Sequence, residues 1–215
     1  MGYKRYLENV KDITDGKELV SSGMTKETQR CREAFQHAAA GKVVSLISSG
    51  DAGVYGMAGL AIELRREDGL DVPIEIIPGV TAASAAASRL GAPLMLDYAS
   101  ISLSDLLVPW ETIRKRLEAV AGADMVTVIY NPRSKKRVKQ LDEAIEIFRR
   151  HRPDDTPVGL CTSIGYEDEK IVIKNLATVP EEEIGMLTTV VIGNSSSQMI
   201  DGWFVTPRGY RGKRF

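Results

Sequence analysis

Two turns made of small residues carry the clearest chemical signal in the sequence. They are Ser48-Ser49-Gly50-Asp51-Ala52-Gly53 and Pro78-Gly79-Val80-Thr81-Ala82-Ala83-Ser84. Small side chains let a ligand approach the backbone, and a carboxylate such as Asp51 can accept hydrogen bonds from ligand hydroxyls. Thr81 adds a hydroxyl at a predicted helix start. Together the two turns predict a site for a nucleoside, whose ribose offers such hydroxyls.

Each turn also has an ordinary structural explanation. Asp51 could cap the helix that follows it, and Thr81 could do the same for the next helix. The first turn matches neither the G-x-G-x-x-G pattern nor the P-loop pattern, so binding of a dinucleotide or a nucleoside triphosphate is not supported. Taken one at a time, the turns leave helix capping and ligand binding open.

The elements that must hold the turns are indicated by the apolar pattern. Residues 43–47 and 74–77 are short, β-branched runs that predict buried parallel strands, and each leads through one turn into a helix. Turns at the carboxyl ends of parallel strands are where open α/β sheets bind their ligands. The sequence therefore predicts an α/β fold with its site at one edge of a sheet.

The rest of the chain suggests a second half that is richer in strands. We predict helices over residues 1–13, 25–40, 54–67, 82–89, 109–121 and from 135 to about 150, and further strands over residues 18–21, 124–130, 158–162, 170–174 and 188–192. Residues 93–108 are predicted to form a loop. We therefore predict an N-terminal α/β domain over residues 1–107 and a C-terminal α/β domain with a mixed sheet over residues 108–215.

The amino-acid composition of the chain indicates which kinds of binding partner to expect. The 215 residues carry a formal net charge of −1, which gives no argument for a nucleic-acid or membrane partner. Cys31 and Cys161 are far apart and fit no metal-ligand spacing, so we expect no metal site and a reduced, cytoplasmic protein. His37 and His151 lie on charged helical segments. An enzyme built on this chain is expected to work without histidine.

The two turns together resemble the tetrapyrrole (corrin/porphyrin) methyltransferases. The resemblance rests first on residues 49–56, SGDAGVYG, and residues 77–84, IPGVTAAS. Four later segments restrict the resemblance to one branch of the family. They are ISLSDLLVPW at 101–110, YNPRS at 130–134, VIGNSS at 191–196 and VTPRGY at 205–210. These later segments are similar to the branch that methylates C17 of precorrin-3B or cobalt-precorrin-3. The match extends from residue 2 to residue 210.

The resemblance implies two α/β domains of the tetrapyrrole methylase fold, with S-adenosyl-L-methionine bound in the cleft between them and released as S-adenosyl-L-homocysteine. It also implies a homodimer. By matching position, the cofactor-binding residues are expected to be Ser49, Gly50, Asp51, Val54, Thr81, Ala82, Tyr130, Asn131, Thr162 and Ser163.

The implied reaction is methylation of C17 coupled to ring contraction, in cobalamin biosynthesis. The tetrapyrrole substrate carries many carboxylates, for which Arg133 and Arg208 are the expected contacts because both lie inside branch-specific segments. The other basic residues near them are expected to face solvent. Ring contraction needs proton transfer, and the candidates are Asp97, Tyr98, Ser102, Ser104 and Asp105, although turn and capping roles remain open for each and no base is assigned.

One departure from the family pattern concerns the N-terminus. Relatives begin with an extra strand and a loop of the form G-x-G-P-G before the segment that matches Gly2-Tyr3-Lys4, whereas this sequence starts at Met1. We therefore expect a shortened N-terminal sheet. Two alternatives stay open: a methyltransferase of the same fold that acts on RNA or protein, and a truncated, non-catalytic form that binds cofactor or corrinoid.

Overall fold

Residues 1–179 and 184–210 are described by a computed structural model, and their contacts group the chain into two units, Met1–Thr81 and Ala82–Phe215. This grouping does not test the predicted domain boundary between residues 107 and 108, which stays a prediction. None of the helices in the described ranges is both long and apolar enough to cross a membrane.

The first unit is built mainly from helices. They are α1 (Lys4–Asn9), α2 (Glu27–Ala39) and α3 (Ala58–Glu67), with a 3₁₀ turn over Lys11–Ile13 and a parallel pair of two-residue strands, β1 (Gly2–Tyr3) and β2 (Ser21–Ser22). Cys31 and Phe35 project from one face of α2 because they are four residues apart, and they pack against Ala61 and Leu64 of α3. This small apolar cluster is the core of the unit.

The predicted strands over residues 43–47 and 74–77 are wrong. In the described first unit, Ile47 forms one parallel bridge with Gly2, and residues 74–77 join no ladder. A strand needs a neighbour for its N–H and C=O groups, and these two runs do not pair with each other. Val43 is consequently fully exposed and Ile77 is 64% exposed, so burial was also overestimated. The sheet of this unit is limited to the two-residue pair β1 and β2.

The second unit is organised by a five-stranded mixed sheet. Its order is β4 (Tyr98–Ser102), β5 (Val126–Tyr130), β8 (Thr188–Ile192), β6 (Pro157–Thr162) and β7 (Lys170–Asn175). β4 and β5 are parallel, and the other neighbouring pairs are antiparallel. A smaller sheet has the order β3 (Gly91–Ala92), β10 (Trp203–Val205) and β9 (Gln198–Ile200).

Helices cover both faces of the larger sheet. They are α4 (Ala82–Leu90) on one face, and α5 (Trp110–Gly122) and α6 (Lys139–Arg149) on the other. Successive side chains of β5 alternate between these faces, so Val126 and Val128 pack with α4 while Ile129 packs with α5 and α6. This two-sided burial explains why β5 is mostly apolar and was predictable.

The predicted loop over residues 93–108 contains a strand, β4, and that part of the prediction is wrong. Its sequence, Tyr-Ala-Ser-Ile-Ser, has a single buried side chain, Ile101, because β4 lies at the edge of the sheet. An edge strand needs little apolar character, and β4 is held by its parallel pairing with β5. The observed helices and mixed sheet confirm the predicted α/β class.

The packing of α4 on β6 leads to a testable prediction. A Cβ atom added to Gly159 would lie 2.3 Å from Cδ1 of the fully buried Leu90. Gly159→Ala is expected to lower the free energy of unfolding by about 1–3 kcal/mol through overpacking, and Leu90→Ala by about 2–5 kcal/mol through a cavity. Trp110 and Trp203 both lie in the second unit, so tryptophan fluorescence during urea unfolding reports on it.

The double variant supplies the control. The added methyl group fills part of the space that Leu90→Ala empties, so the double variant should be more stable than the sum of the single effects predicts, by about 1 kcal/mol or more. Strictly additive effects would contradict this account of the contact.

Candidate functional site

The two small-residue turns of the first unit are joined by one carboxylate. Oδ1 of Asp51 accepts a hydrogen bond from the Gly53 N–H (2.8 Å), within its own turn. Oδ2 of Asp51 accepts another from the Gly79 N–H (2.9 Å), in the second turn. The structure therefore brings together the two turns that the sequence analysis placed in one site.

Glycine is required where the turns meet. A Cβ atom on Gly79 would lie 2.2 Å from the carbonyl oxygen of Gly50, which is far inside contact distance. Gly50 itself has a φ of 68°, in the left-handed region that favours glycine. Ser49, Gly50 and Val54 are exposed, as is Val80 in the second turn. The joined turns thus present backbone and small side chains to solvent, where a ligand can approach.

The hydrogen bonds also set the charge of Asp51. The N–H groups of Gly79 and then Gly53 lower the pKa of this carboxyl below its ordinary value, because they stabilise the ionised form. An ionised carboxylate has about four acceptor positions. With one N–H on each oxygen, Asp51 can still accept hydrogen bonds from ligand hydroxyls. The structural and ligand-binding roles weighed for Asp51 are therefore compatible.

In the second unit, strand direction brings several predicted site residues to one edge of the sheet. β4 and β5 are parallel, with Ser102 opposite Tyr130, and β8 pairs antiparallel with both β5 and β6. The carboxyl ends of β4, β5 and β6 therefore lie at the same edge. The predicted residues at this edge are Ser102, Tyr130, Asn131, Thr162 and Ser163.

Tyr130 holds the beginning of α4. Its hydroxyl oxygen accepts a hydrogen bond from the Ala83 N–H at 2.9 Å. Ala83 is the second residue of α4, so its N–H has no acceptor inside the helix. Tyr130 thereby places Ala82, another predicted cofactor contact, at a fixed position relative to the end of β5.

Asn131 and Ser102 form a polar cluster at the ends of β5 and β4. The Asn131 side-chain amide donates to Ser102 Oγ at 3.0 Å, and the Ser104 N–H donates to the same oxygen at 3.2 Å. Asn131 has a φ of 50°, and its carbonyl oxygen accepts a hydrogen bond from Nη2 of Arg137 at 2.6 Å. The expectation that Arg137 faces solvent is therefore wrong, because its guanidinium holds this turn.

The residues at the end of β6 already have partners within the second unit. The hydroxyl oxygens of Thr162 and Thr188 lie 2.8 Å apart. Ser163 is buried, has a φ of 52°, and donates from Oγ to Asp168 at 3.0 Å. Cofactor binding by Thr162 and Ser163 stays a prediction.

The remaining candidates do not form one cluster. Asp97 and Tyr98 are exposed, and Asp105 accepts a hydrogen bond from the Gln140 amide at 2.9 Å. Arg133 forms an ion pair with Asp142, while its Nε is buried and has no hydrogen-bond acceptor among the described residues.

The C-terminal basic residues are only partly described. Arg208 is exposed, whereas Arg211, Lys213 and Arg214 lie outside the described residues. Within residues 1–179 and 184–210, no group of three or more His, Cys, Asp and Glu side chains is arranged to hold a metal ion.

Comparisons with known proteins agree on one family. A model of the family "Tetrapyrrole (Corrin/Porphyrin) Methylases" matches residues 1–180. The chain is 50% identical over 217 residues to the cobalt-factor III methyltransferase of Priestia megaterium, covering 99% of this chain and 40% of that protein. It is 46% identical to the probable cobalt-factor III C(17)-methyltransferase of Salmonella typhimurium, covering 98% of this chain and 87% of that protein.

A solved structure supports the same assignment. The crystal structure of the methyltransferase CobJ superposes with a TM-score of 0.90 at 33% identity, covering 96% of this chain and 87% of that one. The chain thus spans less than half of the Priestia protein but most of the Salmonella protein and of CobJ. These matches confirm the predicted family, and the chain belongs to the tetrapyrrole (corrin/porphyrin) methylases.

Proposed function

We propose that this chain methylates C17 of precorrin-3B or cobalt-precorrin-3, with ring contraction, in cobalamin biosynthesis. The observation that carries the proposal is the Asp51 carboxylate, which joins two exposed glycine-containing turns into one surface suited to a nucleoside-containing cofactor. The relatives named for cobalt-factor III and for C17 methylation support the substrate class.

The residues of the joined turns fit S-adenosyl-L-methionine. When bound, this cofactor supplies an electrophilic methyl group on a sulfonium centre. Asp51 offers acceptor oxygens for ribose hydroxyls, and the turns around Gly50 and Gly79 offer backbone groups without side chains in the way. Val54 and Val80 add exposed apolar surface for the uncharged parts of the cofactor. The full predicted set remains Ser49, Gly50, Asp51, Val54, Thr81, Ala82, Tyr130, Asn131, Thr162 and Ser163.

The methyl step asks the protein for alignment and exclusion of water rather than for a strong base. The nucleophile is an electron-rich carbon of the substrate, so no side chain has to be activated for attack. Small residues and backbone groups are sufficient to bind and align the cofactor and the substrate. The absence of histidine from the candidate residues is consistent with such a reaction.

Ring contraction is served best by Ser102 among the candidate residues. Its oxygen accepts hydrogen bonds from Asn131 and from the Ser104 N–H, which together use both lone pairs of the hydroxyl. The hydroxyl hydrogen of Ser102 is then directed away from these partners and can be donated to a substrate oxygen. This supports Ser102 as the group that polarises a carbonyl, ahead of Asp97, Tyr98, Ser104 and Asp105.

Arg133 and Arg208 are the proposed partners of substrate carboxylates. The Arg133 side chain is 24% exposed beside its ion pair with Asp142, which leaves part of it open to a substrate carboxylate. The proposal also includes a homodimer in the cytoplasm that binds neither nucleic acid nor membrane. The net charge of −1 agrees with this, since nucleic-acid affinity depends on an excess of basic residues.

Methyl transfer is the first test of the proposal. Purified protein incubated with cobalt-precorrin-3 and S-adenosyl-L-methionine is expected to yield a product heavier by one methylene unit, as measured by mass spectrometry. Ser102→Ala should lower the rate at which the ring-contracted product appears, followed by its visible absorption spectrum, by about 10²-fold, as for loss of one donor to a developing oxyanion. The dissociation constant of S-adenosyl-L-homocysteine should stay within about twofold, because the Ser102 hydroxyl is proposed to act on substrate.

Ser88→Ala is the matched control, because Ser88 is an exposed serine on α4. It should leave turnover and cofactor affinity unchanged. Folded wild-type protein that binds the cofactor product but gives no methylated tetrapyrrole would contradict the proposal and favour the non-catalytic alternative.

Gly79→Ala tests the contact between the turns. The added Cβ atom would collide with the Gly50 carbonyl oxygen at 2.2 Å, so the turns must separate and the affinity for S-adenosyl-L-homocysteine should fall at least about tenfold. Titration calorimetry measures the change. Gly59→Ala is the control, since its Cβ would meet nothing within 4 Å in α3. Equal affinity of both variants would place the cofactor elsewhere.

The pH dependence of cofactor binding tests the charge of Asp51. Its pKa in the folded protein is lowered, so the bridge to Gly53 and Gly79 is complete above the ordinary carboxyl pKa of about 4 and is lost as the pH falls through the lowered value. The affinity of wild type relative to Asp51→Asn should therefore be constant from about pH 8 down to about pH 4, the ordinary carboxyl pKa, and approach one only as the pH falls through the lowered pKa of Asp51. A ratio of one at neutral pH would contradict the role of the carboxylate.

A further inference from the structure

We propose that two loops of the second unit form a binding surface for the tetrapyrrole substrate, with an apolar part for the macrocycle and a basic part for its carboxylates. They are the β4 loop, residues 103–109, and the β5 loop, residues 131–138. Both begin at the edge of the sheet that carries Ser102. The role of this surface rests on the proposed function, and it is carried by residues that the proposed function leaves unassigned.

Hydrogen bonds hold the two loops side by side. The Leu103 N–H donates to the Tyr130 carbonyl at 3.0 Å, which continues the pairing of β4 with β5 into the β4 loop. Further along the same loop, Asp105 accepts a hydrogen bond at 2.9 Å from the amide of Gln140, the second residue of α6. Groups that one loop presents are therefore close to groups that the other presents.

The β4 loop holds two adjacent leucines out in solvent. Leu106 is 79% exposed and Leu107 is 92% exposed. The loop is anchored on both sides of this pair, because Leu103 is buried in the core and Val108 packs against the same core. Val138 of the β5 loop is exposed as well. A contiguous apolar patch of this kind is typical of a binding surface.

The β5 loop supplies cations that lack carboxylate partners. Lys135 and Lys136 are exposed, and neither forms an ion pair in the part of the chain that the structure describes. The partly buried guanidinium of Arg137 donates from Nη2 to the Asn131 carbonyl, which is a neutral acceptor, and it too has no carboxylate partner among the described residues. A partly buried charge is screened less by water and salt than an exposed one.

The charge balance of the surface stays positive when its carboxylates are counted. Arg133 and Asp142 form an ion pair and cancel each other. Asp105 carries one negative charge, which offsets one of the three cations of the β5 loop named above. Two positive charges therefore remain without compensation beside the exposed leucines, and an anionic ligand would offset them.

An apolar patch beside uncompensated cations matches the chemistry of a tetrapyrrole. The macrocycle is a broad apolar ring system, and its acetate and propionate groups project from the periphery. The ring can cover Leu106 and Leu107 while its carboxylates form charge-assisted contacts with lysine and arginine. A purely apolar ligand would leave the cations uncompensated, and a small anion would leave the leucines exposed. Ser102 lies at the sheet edge where both loops begin, so the surface adjoins the hydroxyl proposed to polarise a substrate carbonyl.

The test measures binding of uroporphyrin I, a fluorescent porphyrin with eight carboxylates, by fluorescence anisotropy. Leu107→Gln removes half of the exposed leucine pair without touching the core, and the double substitution Lys135→Gln, Lys136→Gln removes two charges while Arg137 still holds its turn. We expect Leu107→Gln to weaken binding about fivefold or more and the lysine variant about tenfold or more. The affinity of both for S-adenosyl-L-homocysteine, measured by calorimetry, should stay within about twofold of wild type.

Each variant has a control in the second unit, outside both loops. Met199→Gln replaces an exposed apolar residue of β9. The double substitution Lys115→Gln, Arg116→Gln removes an adjacent, exposed basic pair of α5. Both controls should bind uroporphyrin I within about twofold of wild type. Light scattering should give the same molar mass for all of these proteins, because the surface is proposed to bind substrate rather than a second copy of the chain.

Several results would overturn the surface. They are no porphyrin binding by wild type, unchanged binding by either loop variant, and an equal loss in the controls. A loss of cofactor affinity would assign the surface to the cofactor instead, and a lower molar mass of Leu107→Gln would assign the leucines to a contact between subunits.

The methyl-transfer assay is independent of this titration. A protein that transfers methyl groups but whose porphyrin affinity ignores the loop variants keeps the proposed function and loses the binding surface. Porphyrin binding that depends on both loops, without methyl transfer, keeps the surface and loses the proposed function.

Discussion

The first unit depends on a single carboxylate that accepts hydrogen bonds from two separate turns. In related α/β folds, ladder pairing aligns the ends of neighbouring strands and hence the turns that follow them. In the described first unit, residues 43–47 and 74–77 do not pair with each other. Asp51 supplies the connection instead, through Gly53 and Gly79. The site therefore owes its shape to side-chain hydrogen bonding and to the space left by the missing Cβ of Gly79.

In the second unit, strand register positions the polar groups of the candidate site. The parallel pairing of β4 and β5 sets Ser102 opposite Tyr130, and the next residue, Asn131, turns back towards Ser102 in a left-handed conformation. Arg137 then fixes the Asn131 carbonyl, while the Tyr130 hydroxyl fixes α4. The polar groups at this edge are thus positioned by a sheet that is buried on both faces, which is a rigid support for chemistry.

Sequence reasoning succeeded where a local signal was sufficient. The α/β class, the helices and the largely buried strand β5 follow from periodicity, and the family follows from motifs around Asp51 and Thr81. It failed where an element depends on pairing or contact with a segment that is distant in sequence. Residues 43–47 have a strand composition without a full ladder, and β4 has a ladder with a weak composition. Arg137 was assigned to solvent because nothing in a run of basic residues marks which one will find a carbonyl within reach.

Hydrogen-bond counting shows which capacity of Ser102 the fold leaves open. A serine hydroxyl has one hydrogen to donate and two lone pairs, so the donors placed on its oxygen decide which capacity remains. The Asn131 amide and the Ser104 N–H both donate to the oxygen of Ser102, and Arg137 holds the turn that contains Asn131. Ser102 is thereby left as a donor at the carboxyl end of β4. The proposed polarisation of a substrate carbonyl therefore depends on these neighbours as much as on Ser102 itself, because they determine where its hydrogen can point.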